Sequence, residues 1–161
     1  MLDRLPPLLA PGLRVVFVGT RPGMESLRTG FYYASPTNAF YATLHQSGFT
    51  SRLWSAVDCR ALLGVGIGLD DVHDDPAALR RRLEEVAPVA VCFNSKQALA
   101  AFAGDVSGDW RGPAAERHVL IADVRTIWAV PDSSGLAGRF RIERVALLRD
   151  LRARFGWTPK P

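Results

Sequence analysis

Short apolar runs alternate along this chain with segments whose apolar residues recur at helical spacing. Four runs predict buried strands, at residues 14–18, 89–93, 118–122 and 125–130. Helical spacing and capping residues predict helices at residues 39–47 and 58–63, from Pro76 onward, from Ser95 to about residue 102, and through Ile142, Val145, Leu148 and Leu151. Strands that alternate with helices predict an α/β fold, a three-layer α/β/α sandwich around a central, mostly parallel sheet.

The remaining segments predict connections. Residues 1–12 are rich in proline and predict an N-terminal arm on a single domain that spans residues 1–161. Glycine, proline and polar residues predict irregular structure at residues 24–36, 104–116 and 131–138. Glycines at alternating positions predict a further loop at residues 64–72, which carries the adjacent carboxylates Asp70 and Asp71.

The turn Gly19-Thr-Arg-Pro-Gly23 is the first candidate for a binding site. It follows a buried strand, and parallel α/β sheets bind ligands at the carboxyl ends of their strands. Phe31, Tyr32 and Tyr33 follow it and can stack against a flat ligand, although a tight turn followed by ordinary core aromatics explains the same residues. A phosphate-binding nucleotide domain is a weaker alternative, because neither Gly-x-Gly-x-x-Gly nor Gly-Lys-Ser/Thr follows the strand.

Composition narrows the class of protein. The 161 residues are 48% hydrophobic, which suits one globular core, and no apolar run approaches the roughly 20 residues of a membrane helix. The net charge of +4, with basic residues that are almost all arginine, favours a polyanionic partner, although solubility explains such a charge equally well. The two cysteines and three histidines have no ligand spacing, so we expect no metal and no disulfide in a cytoplasmic protein that has no membrane partner.

Several motifs together resemble those of one enzyme family. They are Ala10-Pro-Gly-Leu-Arg-Val-Val-Phe, Gly19-x-x-Pro-Gly23, Thr29-Gly-Phe, Ala34-x-Pro-x-Asn38 and Gly48-Phe-Thr50. A further motif lies late in the chain, Val130-Pro-Asp-Ser-Ser-Gly-Leu-Ala-Gly-Arg139. In this order they resemble the mismatch-specific uracil- and thymine-DNA glycosylases. The resemblance implies a monofunctional glycosylase of base-excision repair, without a cofactor, that acts as a monomer on damaged or mismatched DNA in the bacterial cytosol or nucleoid.

The resemblance also implies roles for individual residues. Those expected to bind the flipped base are Gly19, Thr20, Pro22, Gly23, Tyr33 and Asp132. Those expected to contact DNA are Ser26, Ser134, Gly135, Leu136 and Arg139. Leu136 is the expected wedge that fills the gap in the base stack, the alternative being that it turns inward and anchors its loop.

Two departures from the family concern the chemistry directly. Arg21 and Asp132 stand where the family carries asparagine, and a guanidinium cannot position water as an acceptor. We therefore expect a carboxylate to act at the sugar, Asp70 first and Asp71 second, with Arg21 stabilising the departing base or contacting a phosphate. The opposite charges of Arg21 and Asp132 suggest an ion pair across the pocket. The same departures leave open a relative that binds lesions without cleaving them, or a glycosylase for another deaminated base such as hypoxanthine.

Overall fold

Four parallel strands form the central sheet in the computed structural model, which describes residues 2–161. They are Val15–Gly19 (β1), Ile67–Asp71 (β2), Ala90–Phe93 (β3) and Thr126–Ala129 (β4), in the spatial order β2-β1-β3-β4. Val15 pairs with Ile67 on one side and with Ala90 on the other, so the carboxyl ends of the strands lie at one edge.

Helices surround this sheet. They are Met24–Thr29 (α1), Phe40–Gln46 (α2), Pro76–Val86 (α3), Lys96–Ala103 (α4) and Arg141–Phe155 (α5), with 3-10 segments at Ala56–Val65, Pro113–Arg117 and Gly135–Phe140. Two caps explain where helices begin: the Asp75 carboxylate accepts from the Ala78 amide at 2.9 Å, and the Ser95 hydroxyl accepts from the Ala98 amide at 3.0 Å. Helices at 39–47, from Pro76, from Ser95 and at the C-terminus are confirmed, whereas residues 58–63 belong to a 3-10 segment.

The core has two halves, one on each face of the sheet. Alternate residues of β1 enter different halves: Phe17 packs with α2 and α5, and Val16 packs with α3 and α4. Both β1 residues are fully buried. This arrangement confirms the three-layer α/β/α sandwich with a parallel sheet.

Residues 64–72 do not form the expected loop, because Ile67–Asp71 is the edge strand β2. The glycine at position 68 has a packing reason: a Cβ there would lie 2.5 Å from Leu13 Cδ1 and 2.9 Å from the Leu8 carbonyl oxygen. Leu8 pairs with Leu69 in an antiparallel bridge, so the N-terminal arm covers this edge of the sheet. Residue 1 of the expected arm lies outside the described residues.

Two other expectations were wrong. Residues 118–122 form no strand; Val119 and Ile121 are buried in the α3/α4 half of the core, and this burial explains their alternating pattern. Residues 24–36 are not irregular throughout, because they include α1, which ends at Gly30 with a φ of +80°.

Candidate active site

A cavity of about 590 Å³ opens at the carboxyl edge of the sheet. The segments that follow β1, β3 and β4 contribute to its wall, as does the last residue of β2. Gly19 and Asp132 both line it, so the two motifs at opposite ends of the sequence face one cleft. β3 lies between the strands that carry them.

The cavity brings together most of the residues expected at the site. Those that line it are Gly19, Thr20, Arg21, Pro22, Gly23, Ser26, Tyr33, Asp71, Asp132 and Ser134. Gly135 and Leu136 border an adjoining hollow of about 450 Å³, which shares Ser134 with the cavity. Asp70 and Arg139 line neither. Ser26 is buried, and its Oγ accepts from the Ala34 amide at 3.1 Å, so it fixes the chain next to Tyr33.

Asp71, and not Asp70, presents its carboxylate to the cavity. The two residues follow one another in β2 and point to opposite faces of the sheet. Asp70 is held by Arg82, whose Nε and Nη2 donate to its two oxygens at 2.8 and 3.1 Å. This geometry favours Asp71 over Asp70, the expected first choice: both residues are 2% exposed, but only Asp71 lines the cavity.

The environment of Asp71 favours its neutral form. The side chain is buried, and Oδ2 has no hydrogen-bond partner. Burial, and then the neighbouring charge of Asp70, raise the pKa of Asp71 to about 7. A carboxyl group with this pKa exchanges its proton near neutral pH, as a general base must.

Tyr33 forms an aromatic wall next to Asp71. Its ring stacks on Phe40 with centroids 3.9 Å apart and planes 16° apart. Its φ of +54° is unusual for a residue with a side chain, and such strain is found at sites that the surrounding structure fixes. The hydroxyl is buried without a partner, and burial followed by the charge of Asp71 raises the pKa of Tyr33 well above its usual value.

Gly19 allows Asp71 and Tyr33 to approach the end of β1. A Cβ at position 19 would lie 2.5 Å from Asp71 Oδ1 and 3.3 Å from the Tyr33 hydroxyl. Any side chain there would displace the carboxylate. The close approach of Asp71 and Tyr33 therefore explains why the first residue of the Gly19 to Gly23 turn is glycine.

The ion pair expected between Arg21 and Asp132 does not form. Arg21, which lines the cavity, pairs with Asp74, and both side chains are more than half exposed. Asp132 instead accepts from the amide of Ser134 at 3.1 Å and from its hydroxyl at 2.8 Å. The carboxylate thus shapes its own turn, in the manner common for aspartate in loops.

Asn94 is a site residue that the sequence interpretation missed. It is 3% exposed, lines the cavity and donates from Nδ2 to the Ser133 hydroxyl at 3.0 Å, while Oδ1 is buried without a partner. A signal for it was present, because Asn94 follows the buried strand β3 directly and the carboxyl ends of parallel strands meet at one edge. Asn38 also lines the cavity, and its Oδ1 accepts from the amide of Phe40, the first residue of α2, at 3.0 Å.

Three unpartnered polar atoms thus belong to cavity residues: the Tyr33 hydroxyl, Asp71 Oδ2 and Asn94 Oδ1. Buried polar groups in folded proteins nearly always have partners, and one left without a partner costs roughly 1–3 kcal/mol. Their concentration here indicates a wall built to receive a polar ligand.

Leu136 lies on the rim in the 3-10 segment Gly135–Phe140 and is 99% exposed. It therefore does not turn inward to anchor its loop. Gly135 beside it is packed closely, since a Cβ there would lie 2.7 Å from Thr37 Oγ1. A fixed backbone that carries a fully exposed leucine suits a residue that enters a partner.

A comparison with protein families identifies the group to which this site belongs. The profile of the uracil DNA glycosylase superfamily matches residues 6–152. The chain belongs to this superfamily. The matched range includes both site loops and most of α5. It agrees, at the level of the superfamily, with the resemblance found in the motifs.

A solved structure has a similar fold. The solution NMR structure of a protein from Methanosarcina acetivorans, provisionally described as a uracil DNA glycosylase, matches with a TM-score of 0.63 and 21% sequence identity. The match includes 94% of this chain and 99% of the other. At this identity the likeness concerns the α/β fold alone.

Two further findings concern metal-binding clusters and membrane-spanning helices in the described part of this chain. Among residues 2–161, no three His, Cys, Asp or Glu side chains are grouped to hold a metal ion. In the same range, no helix is long and apolar enough to cross a membrane.

Proposed function

We propose that this protein is a monofunctional DNA glycosylase that flips a deaminated base, uracil first, out of DNA and hydrolyses its N-glycosidic bond. One observation supports this most strongly. The buried carboxylate of Asp71, with Oδ2 unpartnered, lies beside the Tyr33 hydroxyl and the Gly19 to Gly23 turn, in a cavity at the carboxyl edge of the sheet. We also infer that it acts as a monomer in the bacterial cytosol, with G:U mismatches among its substrates.

A base inside a duplex cannot reach such a cavity, so the nucleotide must rotate out of the stack. Phe40 covers one face of the Tyr33 ring, and a flipped base can stack on the other. Leu136, exposed on the rim, then fills the space that the base leaves. Arg21 and Arg139, both exposed, are placed to contact phosphates.

Asn94 is the residue best placed to recognise the base edge. Uracil presents an N–H next to a carbonyl, and the Asn94 amide offers an unpartnered Oδ1 next to a second Nδ2 hydrogen. Cytosine presents an amino group and a ring acceptor in the reverse order, so the same amide would oppose it. Hypoxanthine shares the edge of uracil, and it is therefore the second candidate substrate.

Asp71 is the group we assign to the sugar. Bond breaking leaves positive charge on the deoxyribose, which an ionised Asp71 can stabilise directly or through an oriented water. Asp70 supports this residue, because its Oδ1 accepts from the Asp71 amide at 2.8 Å. Arg82 neutralises Asp70 from the opposite face of the sheet.

In the decisive experiment, the protein is incubated with DNA duplexes that carry a single uracil, hypoxanthine or mismatched thymine. Alkali then cleaves the strand at any abasic site. We expect strand breaks at uracil, and we expect an Asp71→Asn variant to form them more slowly by roughly a hundredfold or more. Binding of these duplexes without any breaks would instead identify a lesion-binding relative that does not cleave.

A further inference from the structure

Arg144, in the first turn of α5, is a buried cation whose charge no carboxylate balances directly. It is 1% exposed. Its Nε donates to Thr43 Oγ1 at 2.9 Å and its Nη1 to the Pro131 carbonyl at 2.8 Å, whereas Nη2 is buried without a partner. None of the ion pairs within residues 2–161 includes it.

This arrangement opposes folding, since a buried charge is normally compensated by an opposite one. Burial lowers the pKa of Arg144, yet a guanidinium stays protonated at neutral pH. Thr43 and Pro131 supply neutral oxygens only, and Asp132, whose charge raises the pKa of Arg144, forms no ion pair with it. The packing of α5 therefore does not account for the charge.

The Arg144 guanidinium lies directly behind two parts of the cavity wall, the segment at Asp132 and the Tyr33 ring. The Pro131 carbonyl that it binds precedes Asp132, which lines the cavity. Its Cζ is 5.9 Å from the centre of the Phe40 ring, which stacks on Tyr33. Its charge acts to lower the pKa of Tyr33, against burial and the charge of Asp71, so its field reaches the cavity.

Base excision needs positive potential at this place. When the C1′–N bond breaks, its electron pair leaves with the base as an anion; water then adds to the sugar cation and loses a proton, and the base takes up a proton. Arg21 is a weak source of stabilisation, because it is 54% exposed and paired with Asp74. A charge buried behind the cavity wall, away from water, is screened far less than the exposed charge of Arg21.

Building on the proposed glycosylase function, we propose that Arg144 stabilises the departing base anion electrostatically through the cavity wall. It does so without touching the base. The field acts only on charge that develops as the bond breaks, so its effect is on the excision step and not on DNA binding.

The test compares two leaving groups, uracil and 5-fluorouracil, in otherwise identical duplexes. The fluorinated base is the more acidic and needs less help to depart. Arg144→Gln should slow single-turnover excision of uracil by roughly tenfold to a hundredfold, and that of 5-fluorouracil by distinctly less. Arg144→Lys should preserve the wild-type ratio of the two rates, because it keeps the charge.

Thr43→Val is the matched control, since it removes the Nε acceptor and leaves the charge. It should change both rates by one common factor. A common factor for Arg144→Gln as well would overturn the inference and leave Arg144 a structural residue. If the wild-type protein excises neither base, the proposed function fails first.

A second measurement can still refute the inference if the glutamine variant does not fold. Free uracil should inhibit the wild-type protein more strongly as pH rises from about 8 to about 9.5, because its anion becomes populated after Asp71 has already ionised. Inhibition that does not increase with pH would overturn the inference.

Discussion

Asp70 and Asp71 occupy successive positions of β2, and the alternation of a strand gives them different surroundings. Asp70 has a guanidinium partner, whereas Asp71 has an unpartnered oxygen and a raised pKa of about 7. An ionised Asp71 stabilises a developing sugar cation, and the same ionisation is unfavourable for the folded protein. Activity and stability should therefore depend on pH in opposite directions.

Excision by the wild-type protein should increase as pH rises through about 7, because only the carboxylate form of Asp71 stabilises the sugar. Asp71→Asn should reduce single-turnover excision by roughly a hundredfold or more while duplex affinity stays nearly constant. Asp105→Asn, at an exposed position outside the cavity, is the control and should keep its activity. Full activity of Asp71→Asn would remove Asp71 from the mechanism.

Asp71→Asn should also stabilise the protein, and more at pH 8 than at pH 5. A folded-state pKa raised from 3.8 to about 7 contributes stability that is present at low pH and is lost as pH rises through about 7. This shift corresponds to at most about 4 kcal/mol, and asparagine avoids the loss. Urea unfolding of both proteins at the two pH values measures it, and an equal gain at both would contradict the shift.

The strand β2 shows that closely spaced glycines do not by themselves indicate a loop. Its glycines suggested a flexible segment, but Gly68 lies beneath Leu13 and the Leu8 backbone. Gly68→Ala should destabilise the protein by roughly 1–3 kcal/mol, since the backbone contact cannot relax as a flexible side chain would. Gly64→Ala is the matched control, because nothing lies within 4 Å of a Cβ there. Thermal unfolding of the two variants makes the comparison.

The segment Gly135–Phe140 permits a similar paired test. Leu136→Ala should reduce excision from a fully paired duplex strongly, and from mismatched or single-stranded DNA less, because less stacking must be replaced there. Leu120→Ala removes another exposed leucine, which lies outside the cavity, and should affect no substrate. An equal loss on all substrates would show that Leu136 does not act as a wedge.

The sequence predicted elements well where local signals and packing agree. Pro76 and Ser95 mark helix starts by their own chemistry, and β1 and β3 are continuous apolar runs. The prediction failed where contacts between residues distant in the chain determine the structure. Gly68 is required by its contacts with Leu8 and Leu13, and Val119 and Ile121 are buried without pairing in the sheet. No local pattern contains that information.

The site is assembled from strand ends that are distant in sequence. The Gly19 to Gly23 turn and the 130–139 segment could be predicted to share a cleft, because both follow strands of a parallel sheet. The choice between Asp70 and Asp71 could not, because a shift of one residue in register exchanges the two faces. The Arg21–Asp132 pair failed because opposite charge does not determine distance, and Asp74 and Ser134 are the actual partners.

The net charge of +4 predicts how salt should affect the protein. Affinity for undamaged duplex should fall on the order of tenfold or more between 50 and 200 mM salt, in proportion to the phosphates contacted. Single-turnover excision at saturating protein should change much less, because the Asp71 carboxylate is buried. Fluorescence anisotropy and excision assays over the same salt series separate the two, and salt-independent affinity would contradict a phosphate interface.

The strand order β2-β1-β3-β4 has a consequence for how such a protein can diversify. After β1 the chain turns toward the α2 face, and after β3 it turns toward the α4 face, so the two connections diverge and leave a crevice between neighbouring strands. The crevice is a product of the connectivity and does not depend on which side chains border it. Evolution can therefore exchange Arg21 or Asp132 for other residues and redirect the chemistry, while the hydrogen-bonded ladder beneath keeps its register.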